Sequence, residues 1–141
     1  MIKEYNNQED FLKDCVNNEF ITEDDLVLNF DLISYNISIT AGNIKAKNIY
    51  IGSIFARNIK AINIKSWFVK ANYIEAQDVS CDELTANKII AQDIVCAEID
   101  VNYIKYYAVC IAYFSFKCIS IIPIRDNHKH CCLDNKIIIK E

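Results

Sequence analysis

Glycine and proline are almost missing from this chain, with two and one copies in 141 residues. An ordinary sandwich or barrel spends more of both on its hairpins, so their scarcity leaves the corners to Asn, Asp and other polar residues. Two glycines are also too few for a phosphate-cradling loop or a dinucleotide fingerprint. No G-x-S-x-G elbow and no H-E-x-x-H pair is present. Neither catalysis nor a cofactor is therefore expected. The longest apolar run, residues 106 to 116, is eleven residues and too short to span a bilayer. The opening MIKEYNNQED lacks the basic and then apolar pattern of a secretory signal. A cytoplasmic protein with no membrane segment is the expectation. The seven cysteines then read as reduced thiols in one domain whose 52% hydrophobic content can bury a continuous core.

What the chain does have is a period. From Ile44 to Ile124 every fifth residue is bulky and apolar, seventeen positions in a row. Two residues after each of the first eleven sits a mostly small side chain, such as Ala46, Ala61, Ser66, Cys81 or Cys96, with Ile51 the large exception. A period of five makes no stripe on an α-helix, and on a straight strand it would send successive members to opposite faces. The chain must therefore turn once per repeat. Bulky and small residues, two apart, then share the inner face of each short extended side.

Corners of about ninety degrees would close a coil every twenty residues, placing Ile44, Ile64, Leu84, Ile104 and Ile124 on one wall and Ile49, Val69, Ile89 and Val109 on the next. The expected fold is thus all-β, a quadrilateral parallel β-helix of about four coils over residues 32–124. An acidic capping segment with a short helix over 1–31 precedes it. A C-terminal β-hairpin over 125–141 follows, with its turn at Asp134 and Asn135.

Repeats such as AKNIY, ARNIK, AINIK, AQDVS and AQDIV carry Asn or Asp just before the bulky residue, at Asn48, Asn58, Asn63, Asp78 and Asp93. In this the chain resembles the pentapeptide-repeat family over roughly residues 36 to 124. It departs from the family in setting the small residue two after the bulky one instead of two before. The resemblance implies a right-handed, four-sided β-helix, a homodimer through the C-terminal ends, and DNA mimicry directed at an enzyme such as gyrase.

Cys81 and Cys96, in the small inner position, read as compact apolar filler. His128, His130 and Cys132 alternate and would share one face of an extended segment, but structural zinc takes four ligands and no second paired set is visible, so no metal is assigned. Toward the C-terminus the small column swells to Val101, Tyr106, Ile111, Phe116 and Ile121. A coil of fixed width could not hold these without widening, and an aromatic plug from Tyr106 to Phe116 would close the stack.

Charge is banded along the chain. Residues 1 to 31 hold nine acids against Lys3 and Lys13, residues 41 to 70 six bases and no acid, and residues 71 to 100 seven acids against Lys88. Within the basic band lie aromatics at outward positions, and the twenty-residue column sets Trp67 above Lys47. Trp67, Phe68 and Tyr50 with Lys47, Lys65 and Lys70 form the candidate binding surface unless the N-terminal segment covers it. The expected function is a non-enzymatic rigid scaffold that binds a protein partner. DNA mimicry and single-strand nucleic-acid binding by the basic aromatic band are the alternatives.

Overall fold

Bulky and small residues two apart do point the same way. In the computed structural model, which describes residues 1–141, each such pair from Ile39 and Ala41 to Ile104 and Tyr106 turns inward. The elements are β1 (Ile2–Tyr5), α1 (Gln8–Lys13), β2 (Glu19–Ile21), β3 (Asp25–Leu28), β4 (Leu32–Lys45), β5 (Asn48–Lys60), β6 (Asn63–Cys118), β7 (Ser120–Pro123), β8 (Lys129–Cys132) and β9 (Ile138–Ile139). Every ladder between them is parallel. The long elements are runs that turn corners while staying in register with the coil before.

That register corrects the expected geometry. Ile39 lies beside Ile54, Ile44 beside Ile59, Ile49 beside Ile64, Ile54 beside Val69 and Ile59 beside Ile74. Each step is fifteen residues, so a coil has three sides of five and not four. The chain is an all-β parallel solenoid of about 7 turns where about four were expected. At the usual strand spacing the rod is about 34 Å long. The first wall carries Ile44, Ile59 and Ile74, the second Ile49, Ile64 and Val79, and the third Ile54, Val69 and Leu84.

Three sides pack well. Each turns in one branched aliphatic residue and one residue near the size of Ala, and together these fill the narrow interior. Three sides close on themselves. The result is one continuous core in which Ile49, Ile54, Ile74, Ile89 and Ile94 are fully buried. Cys81 and Cys96 serve as the expected filler, with their sulfurs 3.2 Å apart across one turn. Outside, side-chain amides stack at the same spacing, Asn43 with Asn58 at 2.8 Å, Asn48 with Asn63 at 2.7 Å and Asn87 with Asn102 at 3.1 Å. Gly52 has its Cα hydrogen aimed at the preceding coil, where a Cβ would come within 2.9 Å of the Tyr35 carbonyl oxygen and 3.0 Å of that of Ile37.

At both ends the coil widens as aromatic rings enter the core, Tyr106 in the small position and Phe116 and Phe20 in the bulky one. Toward the C-terminus the inward pairs become Ile104 and Tyr106, Cys110 and Ala112, then Phe116 and Cys118, so the period grows from five to six. The ladder offset grows with it, from Ile104 beside Ile121 to Cys110 beside His130 and Cys118 beside Ile139. Tyr106 and Phe116 are fully buried and plug this end. The last four members of the pentad series are displaced: Val109 is half-buried, and Phe114, Ile119 and Ile124 face solvent. The expected terminal hairpin does not form. β8 and β9 each pair in parallel with β6, on Val109–Ala112 and Lys117–Cys118, because extending the solenoid's own ladder satisfies more backbone groups than a two-stranded ribbon would.

At the N-terminal end Phe11 of α1 is sealed among Tyr5, Phe20 and Phe30, with the Phe11 and Phe20 ring centroids 4.8 Å apart. Asn7 caps α1 through its side-chain oxygen, which accepts from the Asp10 amide at 2.8 Å. The Gln8 carboxamide then does for Ile33 what a neighbouring strand would do: it donates to the Ile33 carbonyl at 3.0 Å and accepts from the Ile33 N–H at 2.9 Å. The helix thereby covers the second wall. It does not cover Trp67 or Phe68, which remain 55% and 44% exposed.

Candidate binding groove

The fifteen-residue coil rearranges the six surface residues singled out in the sequence. Tyr50 and Lys65 are register partners on the outside of the second wall. Trp67 stands at the corner that follows, at the register position of Gly52, between the ladder pairs Ile51–Ser66 and Ser53–Phe68. Phe68 and Lys70 alternate outward on the third wall, beside Ser53 and Phe55 of the coil before. These five residues are neighbours. Lys47 is not among them: it lies at the corner between the first and second walls, where its carbonyl receives the Ile62 amide at 2.9 Å. Its expected place under Trp67 depended on a step of twenty residues.

Trp67 borders an open groove of about 310 Å³ that follows the corner along the rod. Tyr35 and Trp67 flank one end, Tyr113 the other, and Val95 and Ala97 line the span between, with Lys65 and Asp82 beside them. Exposed aromatic rings at both ends of a trough with a small apolar floor make a site that can seat a side chain and hold it by stacking. Tyr35, Tyr113, Val95 and Ala97 escaped the sequence reading. The signal for them is the coil length itself, because at a step of fifteen Trp67 is followed by Asp82 and Ala97, and Phe68 by Glu83, Glu98 and Tyr113.

The charges beside the groove are stacked like on like. Burial, a hydrogen bond with Glu98 and its charge raise the Glu83 carboxyl above its ordinary value. On the second wall burial and the neighbouring Asp93 raise Asp78 in the same direction. Parallel in-register coils force this, since equal residues fifteen apart come within a strand spacing of each other. Cys81 borders the groove from the inner face. Its hydrogen bond with Cys96 and its burial hold it as a thiol far above the usual range, which makes it a poor nucleophile.

The histidine and cysteine segment is engaged otherwise. The His130 Nδ1 sits 2.5 Å from the Tyr106 hydroxyl, and the His128 Nδ1 2.8 Å from the Arg125 carbonyl. No three His, Cys, Asp or Glu side chains converge as a metal would require. No helix is long and apolar enough to cross a membrane. No family model matches the chain, and no curated protein or solved structure is similar enough to it to carry an argument.

Proposed function

We propose that this protein is a non-enzymatic binding rod, and that the groove from Trp67 to Tyr113 seats a short extended segment of a protein partner. The observation that carries this reading is the set of exposed rings around an apolar floor, on a scaffold whose core is otherwise closed. The groove crosses three coil steps, about 14 Å, which matches roughly four residues of extended chain. An apolar side chain would occupy the floor at Val95 and Ala97. A Lys or Arg of the partner would meet Glu83 and Glu98 and relieve the repulsion that raises Glu83. The seven unpaired cysteines suit a reducing compartment, so the proposal includes a cytoplasmic site of action.

The test is affinity capture from the native cell with the wild-type chain, Trp67→Ala and Glu83→Gln. A partner retained by the wild type and lost by Trp67→Ala, with blue-shifted emission of the single tryptophan on binding, is the expected result. Equal retention by all three chains would remove the groove from the account. Recovery of single-stranded nucleic acid in a salt-dependent manner would instead favour the basic aromatic band.

A further inference from the structure

We propose that copies of this chain associate head to tail, the C-terminal turn of one copy seating on the N-terminal turn of the next. The inference does not depend on the aromatic groove. It begins from strand edges. β1 pairs only with β3, and β7, β8 and β9 only with β6, while β2 pairs with β4 and, at Glu19 alone, with Val16 through two backbone hydrogen bonds, so each end of the rod presents strands with most of one ladder unmade. All of these strands run in the same sense around the coil. β1 and β7 close the two ends of the first wall, through Leu26 beside Ile44 at one end and Ile104 beside Ile121 at the other. β2 begins the third wall, through Phe20 beside Ile39, and β9 ends the run that carries Phe116 and Cys118. A second copy laid end to end would therefore meet edges of matching direction, as in strand addition.

Side chains at the two ends fit one another better than either end fits itself. The N-terminal end exposes Ile2, Val16 and Ile21, the last two lining an open groove of about 780 Å³ that also holds Glu4, Asp14 and Glu19 against Lys3. The C-terminal end exposes Ile122, Leu133, Ile138 and Ile139, and its groove of about 790 Å³ includes Lys136 and Asp134. Residues 1 to 31 hold nine carboxylates against two lysines, whereas residues 117 to 141 hold five bases against three acids. Two N-terminal ends would repel, and an N-terminal end against a C-terminal end attracts. Pro123 has no N–H to offer, and α1 fills the second wall at the N-terminal end, so the shared ladders are short and the contact is reversible. A head-to-tail contact with no closing rotation grows into an open stack and does not stop at two copies.

Light scattering across a concentration series, on the wild type and on two surface variants, tests this. Ile21→Lys sets a cation toward the basic end and Ile139→Glu an anion toward the acidic end; both positions are exposed, so far-UV circular dichroism should be unchanged. Wild-type mass should rise with concentration in steps of 16.3 kDa past two copies, and fall between roughly 0.1 M and 1 M salt. Each variant alone should lose the larger species. Mixed together they should regain larger species, because each keeps one native end and the two introduced charges are opposite where the altered ends meet. A wild type that stays monomeric throughout overturns the proposal. So does a wild type that stops at two copies with Ile21→Lys still dimeric, the signature of a symmetric C-terminal dimer.

Discussion

Replacing Ile74 by Ala should destabilise the β-helix by about 3–4 kcal/mol, whereas the same change at Ile124 should cost about 1 kcal/mol. Both residues belong to one unbroken five-residue series, so sequence alone assigns them equal weight. In the structure Ile74 is fully buried between the coils of Ile59 and Ile89, while Ile124 is 46% exposed beyond the point where the period lengthens. Ile→Ala removes three carbons, roughly 0.8 kcal/mol each when buried, or about 2.4 kcal/mol in transfer alone. The ladder holds the coils on either side of Ile74 at fixed spacing, so the void collapses little and a cavity contribution of about 1 kcal/mol is added. At Ile124 about half of the transfer cost applies and no cavity forms. Urea unfolding followed by far-UV circular dichroism, with an unchanged slope, reads both values, and for a chain of this size Ile74→Ala should melt roughly 8–14 °C lower. Losses equal within error would refute the lengthened period at the C-terminal end.

Burial and then the neighbouring His128 hold the His130 imidazole below its ordinary value, so the unfolded chain binds the proton first. The stability of the Tyr106–His130 contact is thus complete above about pH 6.5 and lost as pH falls toward the lower folded value. The protection of the Cys110 to Ala112 amides against hydrogen exchange, corrected for the intrinsic slowing of exchange in acid, should fall between roughly pH 7.5 and 5 in the wild type and much less in His130→Gln. Asp78→Asn removes a repelled charge at an exposed, solvent-screened position and lengthens the Asn48 and Asn63 stack, so it should raise stability by a few tenths of a kcal/mol at neutral pH, with the gain shrinking in acid as the native Asp78 takes up its proton. Gly52→Ala should destabilise by about 1–3 kcal/mol in the same urea assay, because its Cβ would press on two backbone oxygens that no rotamer can move.

The walls were legible because inward positions repeat at five whatever the number of sides. Ile44, Ile49 and Ile54 are core residues on a triangle or a square, which is also why the period could not tell the two apart. The information lay in the outer columns, where Asn72, Asn87 and Asn102 or Glu83 and Glu98 recur at fifteen. The swelling at Tyr106 and Phe116 announced a wider end. The change of phase that follows, which turns Cys110 inward and Phe114 outward, was hidden because Phe114, Ile119 and Ile124 continue the apolar series by coincidence of composition. Trp67, Phe68, Lys65 and Lys70 follow from exposure logic within one coil, which needs no register, and Tyr50 joins them from the coil before, opposite Lys65. Lys47, Tyr35 and Tyr113 depend on which coils stack, and only the structure supplies that.

Assigned nuclear Overhauser contacts between backbone protons of successive coils measure the coil length directly. The three-sided account predicts that Ile59 lies beside Ile74 and Ile64 beside Val79, a step of fifteen throughout the middle of the rod. Contacts from Ile59 to Val79, a step of twenty, would contradict it.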